Sequence, residues 1–211
     1  MTDILAWIIA IPVSYLIGSI PTGYLIGKIW RNVDVRRYGS GGIGFTNIMR
    51  TLGKTAAFSV LGLDILKGAA PILLVKLFTD VEVIVAVAGS MAVIGHMYTV
   101  FARFQGGRGV ATGMGALIVL SPWAAAIAVA GVIIAIVTRV VSLGSLIGTI
   151  SGMTTIFILI IMGHHGIGYL AYSIPTLLLI PFRHQGNIQR LSRGSERRLS
   201  MSAKPRRRSP D

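Results

Sequence analysis

The sequence contains no cysteine. That excludes disulfides, thiolate nucleophiles, cysteine-ligated zinc and iron–sulfur clusters. It leaves the redox compartment unconstrained. Charge is almost as scarce. Only 13% of the 211 residues are Asp, Glu, Lys or Arg, about half the share in an ordinary soluble domain. Acids are scarcest, at seven against twenty Lys and Arg, which gives a net charge of +13. With so few acids near the polar segments no metal is expected, and no His/Glu cluster has zinc spacing. An early positive charge is also missing. The first is Lys28, so the apolar run over residues 4–27 lacks the basic start of a secretory signal. It is read as a retained span.

What is abundant is apolar sequence, at 53% of residues and a mean hydropathy of +0.74. A soluble enzyme or a disordered chain does not have this composition. An all-α, polytopic integral membrane protein does. Further apolar runs cover residues 56–77, 83–101, 110–138, 143–162 and 167–181. A bilayer core needs about 20 residues per helix. The run 110–138 is too long for one tidy span and is interrupted at Ser121-Pro122.

Orientation follows from basic residues, which stay in the cytoplasm. Residues 28–54 carry six Lys/Arg and one acid, and residues 183–211 carry nine and two. Both are placed inside, as is the segment with Arg103 and Arg108. The acidic turn 79–82 is placed outside. The chain must then cross an even number of times between residue 109 and the tail. Splitting at Pro122 satisfies that and puts Arg139 inside. The favoured count is therefore seven transmembrane helices, N-terminus outside and C-terminus cytoplasmic, with five as the alternative. Residues 1–191 form the membrane domain. Residues 192–211 form a basic cytoplasmic tail, expected to be disordered or to lie on anionic lipid. Ser19, Gly23 and Gly27 have the spacing that lets helices pack closely.

Three stretches on the predicted cytoplasmic side are unlike ordinary connectors. They are Tyr38-Gly-Ser-Gly-Gly-Ile-Gly-Phe-Thr-Asn-Ile-Met-Arg50, then Gly95-His96 with Phe104-Gln-Gly-Gly-Arg-Gly-Val-Ala-Thr112, then Arg183-His-Gln-Gly-Asn-Ile-Gln-Arg-Leu-Ser-Arg-Gly-Ser-Glu196. Each combines glycines, a hydroxyl or amide, and a guanidinium or imidazole. Successive glycines let backbone N–H groups converge on an anion, and a following helix start adds its dipole. Arginine adds a planar fork that matches phosphate oxygens. One such loop is equally well a glycine-rich turn. Three on one face point to a pocket for one or two phosphates.

Other motifs fail on context. Gly39-Ser-Gly41-Gly-Ile-Gly44 fits the dinucleotide fingerprint, with Asp64 twenty residues on, but that fold needs a soluble βαβ unit. Gly53-Lys54-Thr55 lacks the earlier P-loop glycine, because position 48 is Ile48. No His is followed five positions later by Asp, so the His-x4-Asp acyltransferase signature is absent. Nucleic acid is not an expected partner, since no aromatic side chains interleave the tail arginines.

The three loops resemble the three motifs of the bacterial membrane acyltransferases that use acyl phosphate to acylate glycerol 3-phosphate. The family pattern is close to G-S-G-N-I-G-A-T-N with a following Arg, G-H with F-K-G-G-K-G-V-A-T, and R-H-x-x-N-I-x-R-L with G-x-E. Gly18-Ser19-Ile20-Pro21 and Leu63-Asp-Ile-Leu-Lys-Gly68 also match, so the resemblance covers about residues 4–197. Four positions depart from it: Gly42 for Asn, Phe45 for Ala, Gln105 for Lys and Arg108 for Lys. The resemblance implies a seven-helix inner-membrane enzyme with a cytoplasmic site, no cofactor, and membrane lipid as its surroundings. It implies lysophosphatidic acid and phosphate as products, the first step of phospholipid synthesis.

By motif match, Ser40 and Arg50 bind the acceptor phosphate or its hydroxyls. Gly106, Gly107 and Gly109 cradle the acyl phosphate with Arg108, which also reaches glycerol 3-phosphate. His184 and Asn187 orient the attacking hydroxyl, and His184 is the one candidate base in that motif. The catalytic set is thus Ser40, Arg50, His184 and Asn187. Asn47, His96 and Glu196 are expected as structural support, Glu196 through an arginine. Asp64 and Lys67, at i and i+3 in one span, are expected to pair. The rival class is a transporter of a phosphorylated solute, which anion loops and broken helices also suit.

Overall fold

A computed structural model describes residues 2–199. Every regular element in it is helical. The chain starts with α1 (Thr2–Ile8), a π-helical turn (Ile9–Val13) and α2 (Ser14–Gly18). The π turn contains Pro12, which has no N–H and whose ring displaces the carbonyl one turn back, so the helix widens there. A break at residues 19–21 precedes α3 (Thr22–Arg31), which stops at Asn32 in the left-handed conformation, φ 50°.

The first motif loop follows and ends in α4 (Phe45–Thr51). Next come α5 (Lys54–Lys76), α6 (Glu82–Met97), α7 (Val110–Leu120) and α8 (Pro122–Thr138). Ser121 separates α7 from α8, and Pro122 takes the first helical position, where a missing N–H costs nothing. Then come α9 (Val141–Ile161), α10 (Leu170–Arg183) and the short α11 (Gln185–Ser192).

Four segments, Ile4–Arg31, Lys54–Lys76, Glu82–Ala102 and Val141–Ile161, are long and apolar enough to cross a membrane. Val110–Leu120, Pro122–Thr138 and Ile167–Arg183 are apolar but shorter. The core is apolar, with Ile72, Met153 and Ile156 buried in it, and the outer face is apolar as well. Val137, Ile161 and Leu178 face outward, while Asp64, Lys67 and His96 are buried. Small residues bring the helices together, as lipid-facing bundles require. A Cβ on Gly131 would overlap the Gly144 carbonyl in the α8–α9 pair, and one on Gly68 would overlap the Thr112 carbonyl in the α5–α7 pair.

Gly23 and Gly27 depart from the expected helix–helix role. A Cβ on Gly23 would overlap the Ile43 carbonyl, and one on Gly27 would crowd Val33 and Val35. Their job is to seat the first motif loop against α3. Ser19 does meet another helix, donating to the Gly95 carbonyl at 3.3 Å.

The two ends of the bundle differ. At one end Glu82 accepts the Gly166 N–H at 3.2 Å, and Ser121 Oγ lies 2.8 Å from His165 Nε2. His164 and His165 sit in this turn, with His165 stacked on Tyr169. The motif loops gather at the other end. There the Leu199 N–H donates to the Arg139 carbonyl at 2.7 Å, and Leu199 packs on the apolar cluster of Val35, Ile43, Ile48 and Met49.

Candidate functional site

The first loop is organised by Asn47, which is buried at the start of α4. Its Oδ1 accepts the Ser40 N–H at 2.9 Å, and its Nδ2 donates to the carbonyls of Val35 (3.0 Å) and Gly42 (2.7 Å). One amide thus replaces the ladder that an irregular loop lacks. Ser40 is left exposed at the loop tip, and Arg50 projects from the last turn of α4. Phe45 packs on the apolar cluster beneath the loop and meets Phe58 edge-on, with ring centroids 5.5 Å apart.

The second loop differs from the N–H cradle expected of Gly106 and Gly107. Their N–H groups donate to the carbonyls of Met97 (3.2 Å) and His96 (3.0 Å). Neither is free to hold an anion. The two glycines instead let the turn lie flat on the end of α6, where a Cβ on Gly107 would overlap His96 Nε2. Gly109 supplies a left-handed turn, φ 83°, and caps α7. The polar groups this loop leaves open are the Arg108 side chain and the first turn of α7, whose N–H groups have no partner within the helix.

The third motif closes the site. Arg183 donates to the carbonyls of Gly106 and Gly107, each contact being 3.3 Å, and its guanidinium lies over the Tyr98 ring. Sequence reasoning gave Arg183 no role of its own. The clamp joins residues 76 positions apart, and no local pattern signals that. His184 and Asn187 follow one turn apart at the junction of α10 and α11, and both are buried. Asn187 Nδ2 donates to Glu196 Oε1 at 3.0 Å, and Arg190 Nε reaches Glu196 Oε2 at 3.0 Å.

His184 Nδ1 lies 2.8 Å from the Ile180 carbonyl. A carbonyl only accepts, so Nδ1 carries the hydrogen and Nε2 of the neutral ring carries the lone pair. Burial pushes the His184 pKa down to about 4, with the charge of Arg108 acting the same way.

The electrostatic balance is one-sided. Arg108 is within reach of Arg50, Arg183, Arg190 and Glu196, and Arg50 of Arg190, Glu196 and Arg197. Burial and the neighbouring guanidiniums lower the proton affinity of both Arg50 and Arg108. Five arginines and one carboxylate thus share this neighbourhood, and Arg190 is the arginine that contacts Glu196. Among the described residues no group of three or more His, Asp or Glu could hold a metal ion. His96 lies beneath the second loop rather than in this basin, and 3.5 Å from Asp64. Asp64 and Lys67 pair at 2.9 Å.

A family model described as Glycerol-3-phosphate acyltransferase matches residues 8–194. The chain belongs to that family. A glycerol-3-phosphate acyltransferase of Myxococcus xanthus is 43% identical over 188 residues, covering 88% of this chain and 96% of the relative. One from Thermoanaerobacter sp. strain X514 is 38% identical, covering 89% and 92%. The crystal structure of PlsY, an integral membrane glycerol 3-phosphate acyltransferase, in its glycerol 3-phosphate form superposes with a TM-score of 0.83 at 38% identity, covering 92% of this chain and 96% of that one. The lysophosphatidic acid form of PlsY gives 0.80 at 37% identity.

Proposed function

We propose that this acyltransferase moves an acyl group from acyl phosphate to the 1-hydroxyl of glycerol 3-phosphate, giving lysophosphatidic acid and phosphate. The observation that carries the reading is the basin of arginines, Arg50, Arg108, Arg183, Arg190 and Arg197, which share their neighbourhood with the single carboxylate of Glu196. An uncompensated cluster of this size calls for anionic ligands with more than one charge, and two phosphates supply them. Membership of the family, and the relatives' names, supply the acceptor.

In the reaction the substrate oxygen forms a bond to the acyl carbon, and the bond from that carbon to the phosphate oxygen breaks. Phosphate is a good leaving group, so no covalent enzyme intermediate is needed. The protein's work is to hold two anions in reacting distance and to stabilise charge on the carbonyl oxygen. Arg50 and Ser40 take the acceptor. Arg108, Gly109 and the start of α7 take the donor phosphate, on the turn built by Gly106 and Gly107. His184 accepts a hydrogen bond from the attacking hydroxyl through Nε2, and Asn187, held by Glu196, fixes its direction. With a pKa near 4 the His184 ring is a weak final acceptor, so the proton leaves with the departing phosphate. Asn47 and Glu196 brace the first and third loops.

The site faces the cytoplasm of the bacterial inner membrane. The chain crosses seven times, with the N-terminus outside and the C-terminus inside. Helix α7, at 11 residues, covers only about 16 Å, so the second loop sits below the cytoplasmic lipid surface. The site is thereby open to a lipid-soluble donor and a water-soluble acceptor. The test is release of inorganic phosphate from acyl phosphate by the purified protein. Release that requires glycerol 3-phosphate, one for one with product, supports the reading. Transport of the solute unchanged through vesicles, without phosphate release, contradicts it.

A further inference from the structure

The end of the bundle opposite the motif loops holds a cavity of about 180 Å³ that acyl transfer does not use. Lys76, the last residue of α5, and Glu82, the first of α6, stand on its wall, with Asp80 in the turn between them. Tyr169 joins them from the short turn Ile167–Tyr169 ahead of α10. Val85 and Leu120, 6% and 5% exposed, supply apolar lining from α6 and α7. Three helices and a turn thus meet around one small space.

Its charges are left open. Lys76, Asp80 and Glu82 are exposed. Among the described residues neither Lys76 nor Asp80 makes an ion pair or a side-chain hydrogen bond. Glu82 accepts only the Gly166 N–H, at 3.2 Å through Oε1. A Cβ on Gly166 or Gly168 would overlap Glu82, so the chain before Tyr169 is folded against this carboxylate and fixes its place. One free ammonium and two carboxylates therefore face a shared cavity without cancelling one another.

The position selects the kind of ligand. Lys54–Lys76 and Glu82–Ala102 are apolar enough to cross a membrane, and the cavity lies where the first ends and the second begins. That is headgroup depth, where tyrosine is at home with an apolar ring and a polar hydroxyl. Leu77 and Phe78, next to Lys76, are 77% and 39% exposed and extend an apolar surface for acyl chains.

We infer that this cavity seats the headgroup of a phospholipid that carries both a phosphate and a primary ammonium, as phosphatidylethanolamine does. Lys76 takes the phosphate. Asp80 and Glu82 accept from the ammonium, which has three N–H groups to give. Such contacts are stronger at the edge of a membrane than in bulk water. Phosphatidylglycerol brings no cation for the two acids. Phosphatidylcholine brings one without an N–H.

The test is lipid binding by the purified, delipidated protein, read by native mass spectrometry with matched acyl chains. Phosphatidylethanolamine should bind at least tenfold tighter than phosphatidylcholine or phosphatidylglycerol. Glycerophosphoethanolamine, the same headgroup without chains, should bind at least tenfold more weakly than the lipid. Lys76→Met should bring phosphatidylethanolamine to within twofold of phosphatidylcholine. Asp80→Asn/Glu82→Gln keeps an acceptor for Gly166 and keeps Lys76, so in that variant phosphatidylglycerol should bind as well as phosphatidylethanolamine. All of these residues are exposed, and both variants should stay monodisperse. Equal binding of the three lipids by the wild type overturns the inference, and so does a preference for phosphatidylglycerol, which would mark a plain anion site. An ethanolamine preference that survives in both variants overturns it by placing the seat elsewhere. Equal affinity for glycerophosphoethanolamine and the lipid overturns the assignment to a membrane ligand.

Discussion

The imidazole of His184 should respond to acid in a way that reports its burial. It is 1% exposed, with Nδ1 on the Ile180 carbonyl and Arg108 close by. Its pKa falls from the ordinary 6.5 to about 4. Above pH 6.5 the ring is neutral in both folded and unfolded chains and adds no pH dependence. As pH falls from 6.5 toward 4, only the unfolded chain takes up the proton, so acid favours unfolding. Below about 4 both forms are protonated and the effect levels off, at about 3 kcal/mol in all. Between pH 7.5 and 4.5 the wild type should therefore lose about 2.5 kcal/mol more than His184→Gln. On soluble-domain scaling that is a difference of about 5–10 °C in midpoint. Thermal unfolding of both proteins in one detergent, at the two pH values, gives the comparison. An imidazole proton titration gives the pKa itself. A midpoint near 6.5, with parallel acid losses in the two proteins, would refute the buried, neutral histidine. The proton route drawn above would then fail with it.

Three further outcomes follow from the site. Arg50→Ala and Arg108→Ala should each lower kcat/KM at least a hundredfold, about 3 kcal/mol of charge-assisted contact, in protein that still inserts and folds; Arg108→Lys should recover part of that loss, and near-normal activity of either Ala variant would remove that residue from the site. Truncation after Leu199 keeps the Glu196 contacts with Asn187 and Arg190 and the Leu199 contact with Arg139, so turnover should stay within about twofold; truncation after Ser192 removes them and should cost most of it, and equal activity of the two would show the 193–199 segment to be dispensable. Gly42→Asn has only Ser40 Oγ, at 3.7 Å, near the new Cβ, so it should fold within about 0.5 kcal/mol of wild type and stay active, whereas Gly107→Ala must displace His96 and should lose donor binding; equal kinetics for the two would contradict the packing of the second loop.

The loops were legible because their chemistry is local. Glycines, hydroxyls and guanidiniums recur within a dozen residues three times over, and charge placed them on one side. The Ser121-Pro122 interruption was legible for the same reason, since proline suits a first helical position and breaks an interior one. The Asp64–Lys67 pair could be read from i, i+3 spacing. The remaining contacts are products of topology. Thr22 and His96 come to Asp64 from different helices, 42 and 32 positions away. Arg183 reaches Gly106 and Gly107 only because α10 ends beside α6. The glycine N–H groups look available in sequence, yet the end of α6 takes two of them. Gly23 and Gly27 have helix-pairing spacing, but their neighbours are the carbonyl of Ile43 and the side chain of Val35. Spacing identifies a smooth face without saying what lies on it.

The central claim is tested most directly by donor choice. Purified protein in lipid would receive labelled glycerol 3-phosphate with acyl phosphate, acyl-CoA or acyl-carrier protein, each in turn. Labelled lysophosphatidic acid from acyl phosphate alone is the predicted result. Product from either of the other donors but not from acyl phosphate, or none from any donor in folded protein, would contradict the account.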